Sequence, residues 1–416
     1  MKVLNSIIFF ITIVLSVPQN INAQKHTIVS NNIASVQVVA GTNWLCMPVT
    51  MLKGGEPINI AFDDLTHTYH RYAYRLQHCE ADWSPSEGIF ESDYCEGFAD
   101  GNIIDDCEES INTQTLYTHY KLTIPNEQCK IKMSGNYKLT VYDENTGDTA
   151  FHACFMVVEP LISLTMKVTS NTDIDNNKQH QQVELNLGYG ALRINDPLRE
   201  IKTVLMQNAC WDDARQNVKP QLIRSDGLTW MHNKSFIFNG GNEYRKFEIL
   251  DVTNPTLGIE DVGWDGKQYH AYIWTDLPRS NYIYDEDANG AFYIRNSDNI
   301  DNDCISEYVM VHFRLKTPRQ NGKVYINGQW TYDQLLPQYE MTYNEIAQQY
   351  EATIMLKQGY YSYRYLTLND DNIIKPVNTE GNFFQTENDY QALIYFRGIG
   401  ERTDRLVGYK SIKFKL

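Results

Sequence analysis

Three groups of side chains in this sequence are of the types that do chemistry. His67, His70, His78, Cys79 and Asp82 are the densest set of metal-ligand types. Structural metal sites need donors at a repeat that can fold around one ion, such as a C-x-x-C pair, and these five follow no such rhythm. Strand-face and loop side chains that hydrogen-bond locally account for them. Asp285, Asp287, Asn289 and Gly290 repeat the first half of a calcium loop, but Asn296 stands where a bidentate glutamate would close the ligand shell. Their flanks read as strands rather than helices. The run is therefore expected to be a hairpin turn, with calcium at Asp285, Asp287 and Asn289 as the alternative and Asp298, Asp301 and Asp303 nearby. The chain holds 52 Asp and Glu, and nothing in their order sets two at glycosidase separation. Nucleophile elbow, Walker loop, H-E-x-x-H and a complete dinucleotide glycine fingerprint are all missing, since Gly398-Ile399-Gly400 lacks a third glycine. The expectation is a non-enzyme with no cofactor.

The elements that carry these residues are strands. In Tyr72–Cys79, Tyr72, Tyr74, Leu76 and His78 alternate with Ala73, Arg75, Gln77 and Cys79, a half-buried strand with a period of two. Pro85 ends the alternation, because proline has no N–H for a ladder. A loop to about Asp106 follows, holding Trp83, Phe90, Tyr94 and Phe98. Loops beyond about 12–15 residues are functional or disordered, and large aromatics argue against disorder. The contact candidates are Trp83, Tyr94 and Phe98 here, with Phe383 and Phe384 downstream.

Short alternating runs at Ser35–Gly41, Pro57–Asp63, Leu116–Ile124, Asn136–Tyr142 and Phe151–Val158 complete a first β-sandwich over residues 24–160. A middle β-rich domain is expected over 161–318. It contains Gln182–Tyr189, a hairpin across Asn239-Gly240-Gly241-Asn242, Tyr269–Trp274 and Tyr308–Leu315. Lys316-Thr317-Pro318-Arg319 is the next boundary. A third domain, 319–416, pairs Glu351–Leu356 with Tyr360–Leu366 and resembles the early-set immunoglobulin-like sandwiches. Asn344–Tyr350 is its one place for a short helix. The fold class is all-β, several immunoglobulin-like sandwiches in series.

Residues 1–23 read as a secretory leader: Lys2, an apolar Leu4–Val17 and a small-residue cut after Ile21-Asn22-Ala23. The apolar stretch is shorter than the about 20 residues of a membrane span, so export without direct membrane insertion is expected. The net charge of −16 opposes binding to nucleic acid or anionic lipid. Six of eight cysteines fall in the first domain, residues 24–160, which in an exported chain points to disulfides. The pairing is open, with Cys95 and Cys107 as one way to hold the long loop.

Four stretches carry a resemblance. RLQHCEADWSPSEGIFESDYCEGF (Arg75–Phe98), LYTHYKLTIPN, SGNYKLTVYDENTGDTAFHACFMVVEP and EGNFFQTENDYQALIYFRGIGERTDRLVGY (Glu380–Tyr409) are similar to the plug protein family of the type IX secretion system. The resemblance implies a periplasmic protein that occludes, by bulk alone, the outer-membrane translocon barrel of that system while no cargo passes. Its partner would be that barrel. The residues by themselves also fit a periplasmic or surface glycan-binding protein, a glycosidase or a secreted cargo.

Overall fold

Ile58, Ile60 and Phe62 alternate with polar or small residues, so a strand through them must turn one apolar face inward. In the computed structural model, which describes residues 25–416, they lie on the strand Ile58–Asp64 with all three side chains buried. The leader reading lies outside the described residues. Ile58–Asp64 sits in a four-stranded antiparallel sheet in the order Ile33–Ala40, Ile58–Asp64, Thr118–Ile124, Asp106–Glu109. A second sheet runs Thr27–Ile28, Thr149–Val158, Gly135–Asp143, Tyr72–Cys79, Asp100–Ile103, with Val49–Met51 parallel to Thr149–Val158. The two share one core. Phe62 stacks on Tyr120 at 5.1 Å and meets Phe151 edge-on at 4.8 Å, the offset geometries that ring quadrupoles favour.

A second pair of sheets follows. One runs Ser163–Thr169, His180–Gly188, Gly227–Trp230, Leu222–Ile223, and Ile237–Asn239 adds to His180–Gly188. The other runs Arg215–Gln216, Ile201–Gln207, Asn388–Phe396, Arg405–Phe414. Val183, Leu185, Leu187 and Trp230 pack against Leu205, Tyr390, Ile394 and Val407. The chain between these halves builds a ten-stranded sheet. Its order is Arg245–Ile249, Gly359–Leu368, Lys323–Asn327, Glu340–Asn344, Gln349–Lys357, Tyr308–Leu315, Tyr269–Ile273, Ile259–Trp264, with Phe292–Ile294 and Ile374–Pro376 added to Gly359–Leu368. It closes over its own core of Phe247, Phe313, Trp330 and Tyr363.

The topology corrects several local expectations. Residues 319–416 are not one unit, and 318 separates nothing. Strands on both sides of it share the ten-stranded sheet, and the C-terminal hairpin joins Ile201–Gln207 instead. Alternation reports that a strand has an inner face but is silent about its neighbour. Asn239-Gly240-Gly241-Asn242 joins strands of different sheets, and the strands flanking Lys357-Gln358-Gly359 share the ten-stranded sheet without pairing, since Lys323–Asn327 and Glu340–Asn344 stand between them. Tyr282–Tyr284 is not a strand, so Asp285–Gly290 is no hairpin turn. Asn344–Tyr350 is a tight turn between the paired strands Glu340–Asn344 and Gln349–Lys357.

The first sandwich is fastened to the ten-stranded sheet by a buried ion pair. Lys357, 1 % exposed, places Nζ 2.7 Å from Oδ2 of Asp63, which is 0 % exposed. His119 Nδ1 lies 2.5 Å from Asp63 Oδ1, and the Tyr308 hydroxyl donates to Oδ2 at 2.6 Å. Lys357 also donates to the Asp303 carbonyl at 2.6 Å and stands 4.0 Å over the Tyr117 ring. Burial opposes the charge on Asp63, yet Lys357 and His119 hold its carboxyl below the ordinary value.

Replacing Lys357 by Met strips the counter-charge from a carboxylate that water cannot reach. A loss of about 3–5 kcal/mol is expected in urea unfolding, and the double variant Asp63→Asn/Lys357→Met should lose clearly less. The folded carboxyl titrates below its unfolded value of about 4. Its stabilisation is therefore full above that pH and lost as pH falls through the folded value. Acid titrations followed by circular dichroism should show a shallower loss for Asp63→Asn than for the parent chain.

Candidate functional site

The strand Tyr72–Cys79 buries Tyr72, Tyr74, Leu76 and His78 and exposes Arg75 and Gln77. Beyond it the chain is organised rather than irregular. A tight turn is closed by Trp83 N–H to Glu80 C=O at 2.9 Å, with Trp83 in the left-handed region at φ +66°. A one-turn helix Glu91–Tyr94 follows, then Cys95–Gly97 paired with Cys129–Ile131, and then Asp100–Ile103, which returns to Tyr72–Cys79. Gly97 is required here, because an added Cβ would strike the Gln128 carbonyl oxygen.

The root of this loop is bolted to the second sandwich. Glu80 accepts from the Thr403 hydroxyl and the Asp404 N–H, each at 2.9 Å, and pairs with Arg397. Asp404 in turn accepts from the Ala81 N–H at 3.0 Å and from Lys202 at 2.7 Å. Further out, Ser86 Oγ lies 2.9 Å from Thr403 Oγ1, and Arg402 pairs with Asp93 at 2.8 Å. Two stretches far apart in sequence, Arg75–Phe98 and Glu380–Tyr409, thus meet in one place.

The aromatic candidates separate by burial. Tyr94 is 7 % exposed, donates to the Leu76 carbonyl at 3.1 Å and packs beside His78 and Tyr137, so it is a core residue and no contact surface. Trp83 is half-buried, edge-on to Trp211 at 5.8 Å between the first two sandwiches. Phe98 is 71 % exposed, its N–H held by the Gln128 carbonyl at 2.9 Å. Phe90, which the sequence reading passed over, is 74 % exposed, while its neighbour Ile89 packs on the core. In the sequence Phe90 stands out only as one of the four large aromatics of the loop. Phe383 and Phe384 are half-buried at a seam. Phe383 N–H bonds the Gly241 carbonyl at 2.7 Å, and the Phe384 carbonyl accepts from Gln181 at 2.8 Å.

The metal-type residues find ordinary partners. His78 Nδ1 lies 2.8 Å from Ser86 Oγ, and burial pushes its imidazole below the ordinary value. His70 Nδ1 meets Asp143 at 2.9 Å, His67 Nδ1 lies 3.3 Å from the Tyr117 carbonyl, and Asp82 accepts from the Ser84 hydroxyl at 2.6 Å. Asp285 pairs with Lys246 at 2.5 Å, Asp287 accepts backbone N–H groups of Tyr244 and Asn289, and Asn289 donates to Asp389 at 2.9 Å. Burial pushes the Asp287 carboxyl up to about 7. Among the described residues, no three His, Cys, Asp or Glu side chains are placed to hold a metal ion. Cys95 meets Cys129, Sγ to Sγ 3.1 Å, and not Cys107, which lies on a strand of the facing sheet opposite Tyr120.

Residues 33–159 match the family described as the type 9 secretion system plug protein, 1st domain. A solved structure of a hypothetical protein from Parabacteroides merdae ATCC 43184 is 36% identical, with a TM-score of 0.90 over 94% of this chain and 99% of that one. The C-terminal domain of the Streptococcus agalactiae AgI/II polypeptide BspA is 8% identical over 93% of this chain and 96% of its own, with a TM-score of 0.16. That of the Streptococcus pyogenes antigen I/II-family protein AspA is 8% identical over 93% and 98%, with a TM-score of 0.15. Likenesses at those scores carry no argument. Among curated proteins, none matches the chain. The match of the first sandwich, together with a near full-length relative of the same fold, shows that this chain belongs to the type IX secretion system plug protein family.

Proposed function

We propose that the chain closes the periplasmic side of the type IX outer-membrane translocon barrel while no cargo is in transit, and that it does so by steric cover. The family supplies the system, and a role in type IX secretion that is structural rather than catalytic. The observation that carries the rest is how the three units are joined. Ion pairs and shared core fasten them, buried at Asp63–Lys357 and part-buried at Glu80 and Asp404 with Arg397. A cover must resist deformation across its whole width, and packed cores resist it far better than flexible linkers. The leader of residues 1–23 delivers the chain to the periplasm, where it stays without inserting in the membrane. No helix among the described residues is long and apolar enough to cross one.

Phe98 and Phe90 are the contacts for the barrel. Rings this exposed on a pinned backbone lose little conformational entropy on docking. Affinity purification of the tagged chain from detergent-solubilised outer membranes is expected to recover the barrel. Phe98→Ala together with Phe90→Ala should lower recovery on the order of tenfold with the melting temperature unchanged, since both rings face solvent. Deleting the chain should let small periplasm-excluded dyes into cells. An envelope as tight as before, or recovery without any barrel, sinks the reading.

A further inference from the structure

Cys95 and Cys129 stand on the two paired strands of the ribbon that carries Phe98. The register sets Cys95 opposite Ile131 and Gly97 opposite Cys129, so the two cysteines are diagonal neighbours on one face. Both are buried, at 3 % and 0 % exposure, among Tyr74, Tyr94 and Tyr137. Their sulfurs lie 3.1 Å apart, about 1 Å beyond the length of an S–S bond. The other face of the ribbon carries the exposed pair Glu96–Lys130. No other two cysteine sulfurs among the described residues are in contact.

We propose that Cys95 and Cys129 form a structural disulfide that locks together the two strands of the Phe98 ribbon. This rests on the export reading, because the bond needs an oxidising compartment. The oxidant is the disulfide of a thiol–disulfide exchange partner. The Cys95 thiolate attacks one of its sulfurs and releases a thiol, leaving a mixed disulfide on Cys95. The Cys129 thiolate then attacks the Cys95 sulfur and releases the second thiol. Two electrons and the two protons lost by the cysteines end on the two released thiols.

Burial shapes when this happens. It raises the Cys129 thiol well above its ordinary value, so that folded thiol is a poor nucleophile, and the burial of both sulfurs closes the folded disulfide to reductants. The bond is set while the chain folds and is not a switch. The closed segment, which spans 34 positions, includes Phe98 and the strands Asp100–Ile103, Asp106–Glu109 and Thr118–Ile124. Its ends are thus held even in the unfolded chain.

Two measurements test it. The full chain is unfolded in urea with reductant, then refolded in a mixture of reduced and oxidised glutathione and alkylated in denaturant without reductant. Peptide mapping is expected to find residues 95 and 129 in one cross-linked species, and Cys107→Ser is expected to leave it in place. Both thiols alkylated, or Cys95 joined to another cysteine, overturns the inference. The same mapping is done on protein recovered from cells after fractionation. Free thiols at both positions in periplasmic protein also overturn it. Free thiols in protein found only in the cytoplasm, with the bridge forming in glutathione, uphold the pair and sink the export reading instead. Against the oxidised parent, Cys95→Ser and Cys129→Ser should each lower the melting temperature by about 5 °C, and the double variant by no more than either.

Discussion

The placement of the ten-stranded sheet against the first sandwich depends on one carboxylate. Asp63 lies at the end of a strand whose preceding residues face the first core, and it is met by three groups, two of them from the ten-stranded sheet and its approach. An ion pair this deep gains little net free energy over a well-packed apolar pair, because both charges surrender their water. Its effect is on geometry. An ammonium, a phenol and an imidazole that must all reach two oxygens leave a single relative position for two bodies that apolar surfaces would let slide. Specificity of docking, not depth of stabilisation, is what the charge contributes.

The same logic recurs where the first two sandwiches meet. Glu80 and Asp404 gather Arg397, Lys202 and the backbone N–H of Ala81 and Asp404. Tyr395 reaches across to Asn136 at 2.9 Å. Around this polar knot lie Met47, Met156, Val158, Met206, Leu393 and Leu406. The unbranched methionines adapt to the gap between the two sheets. A polar centre fixes the register and an apolar surround supplies the adhesion. The long aromatic loop grows from this knot, so its exposed tip inherits the rigidity of two cores.

Local alternation was enough to read the inner face of Tyr72–Cys79, because a period of two is settled within a single strand. It was enough for Ile58, Ile60 and Phe62 as well, and for the all-β class. It failed wherever the answer lay in a partner. Ile412 and Phe414 announce an inner face, but only the fold reveals that the sheet belongs to residues some two hundred positions earlier. Asn239–Asn242 carries hairpin chemistry yet joins two sheets, since turn residues suit any sharp reversal of direction. In the loop, Tyr94 and Phe98 look alike in sequence. A one-turn helix points the first at Leu76, and a two-strand ribbon lifts the second into solvent. The family resemblance did mark the stretches Arg75–Phe98 and Glu380–Tyr409, whose contact no spacing rule could have shown.

The return of Asn388–Phe414 to a sheet begun at Ile201 has an outcome for biogenesis. Until synthesis reaches these last strands, Ile201–Gln207 presents an unpaired edge and the apolar face of its neighbour sheet stays uncovered. The second sandwich therefore closes only when the last strands of the chain arrive. Its open edge and bare face must be kept from self-association until then.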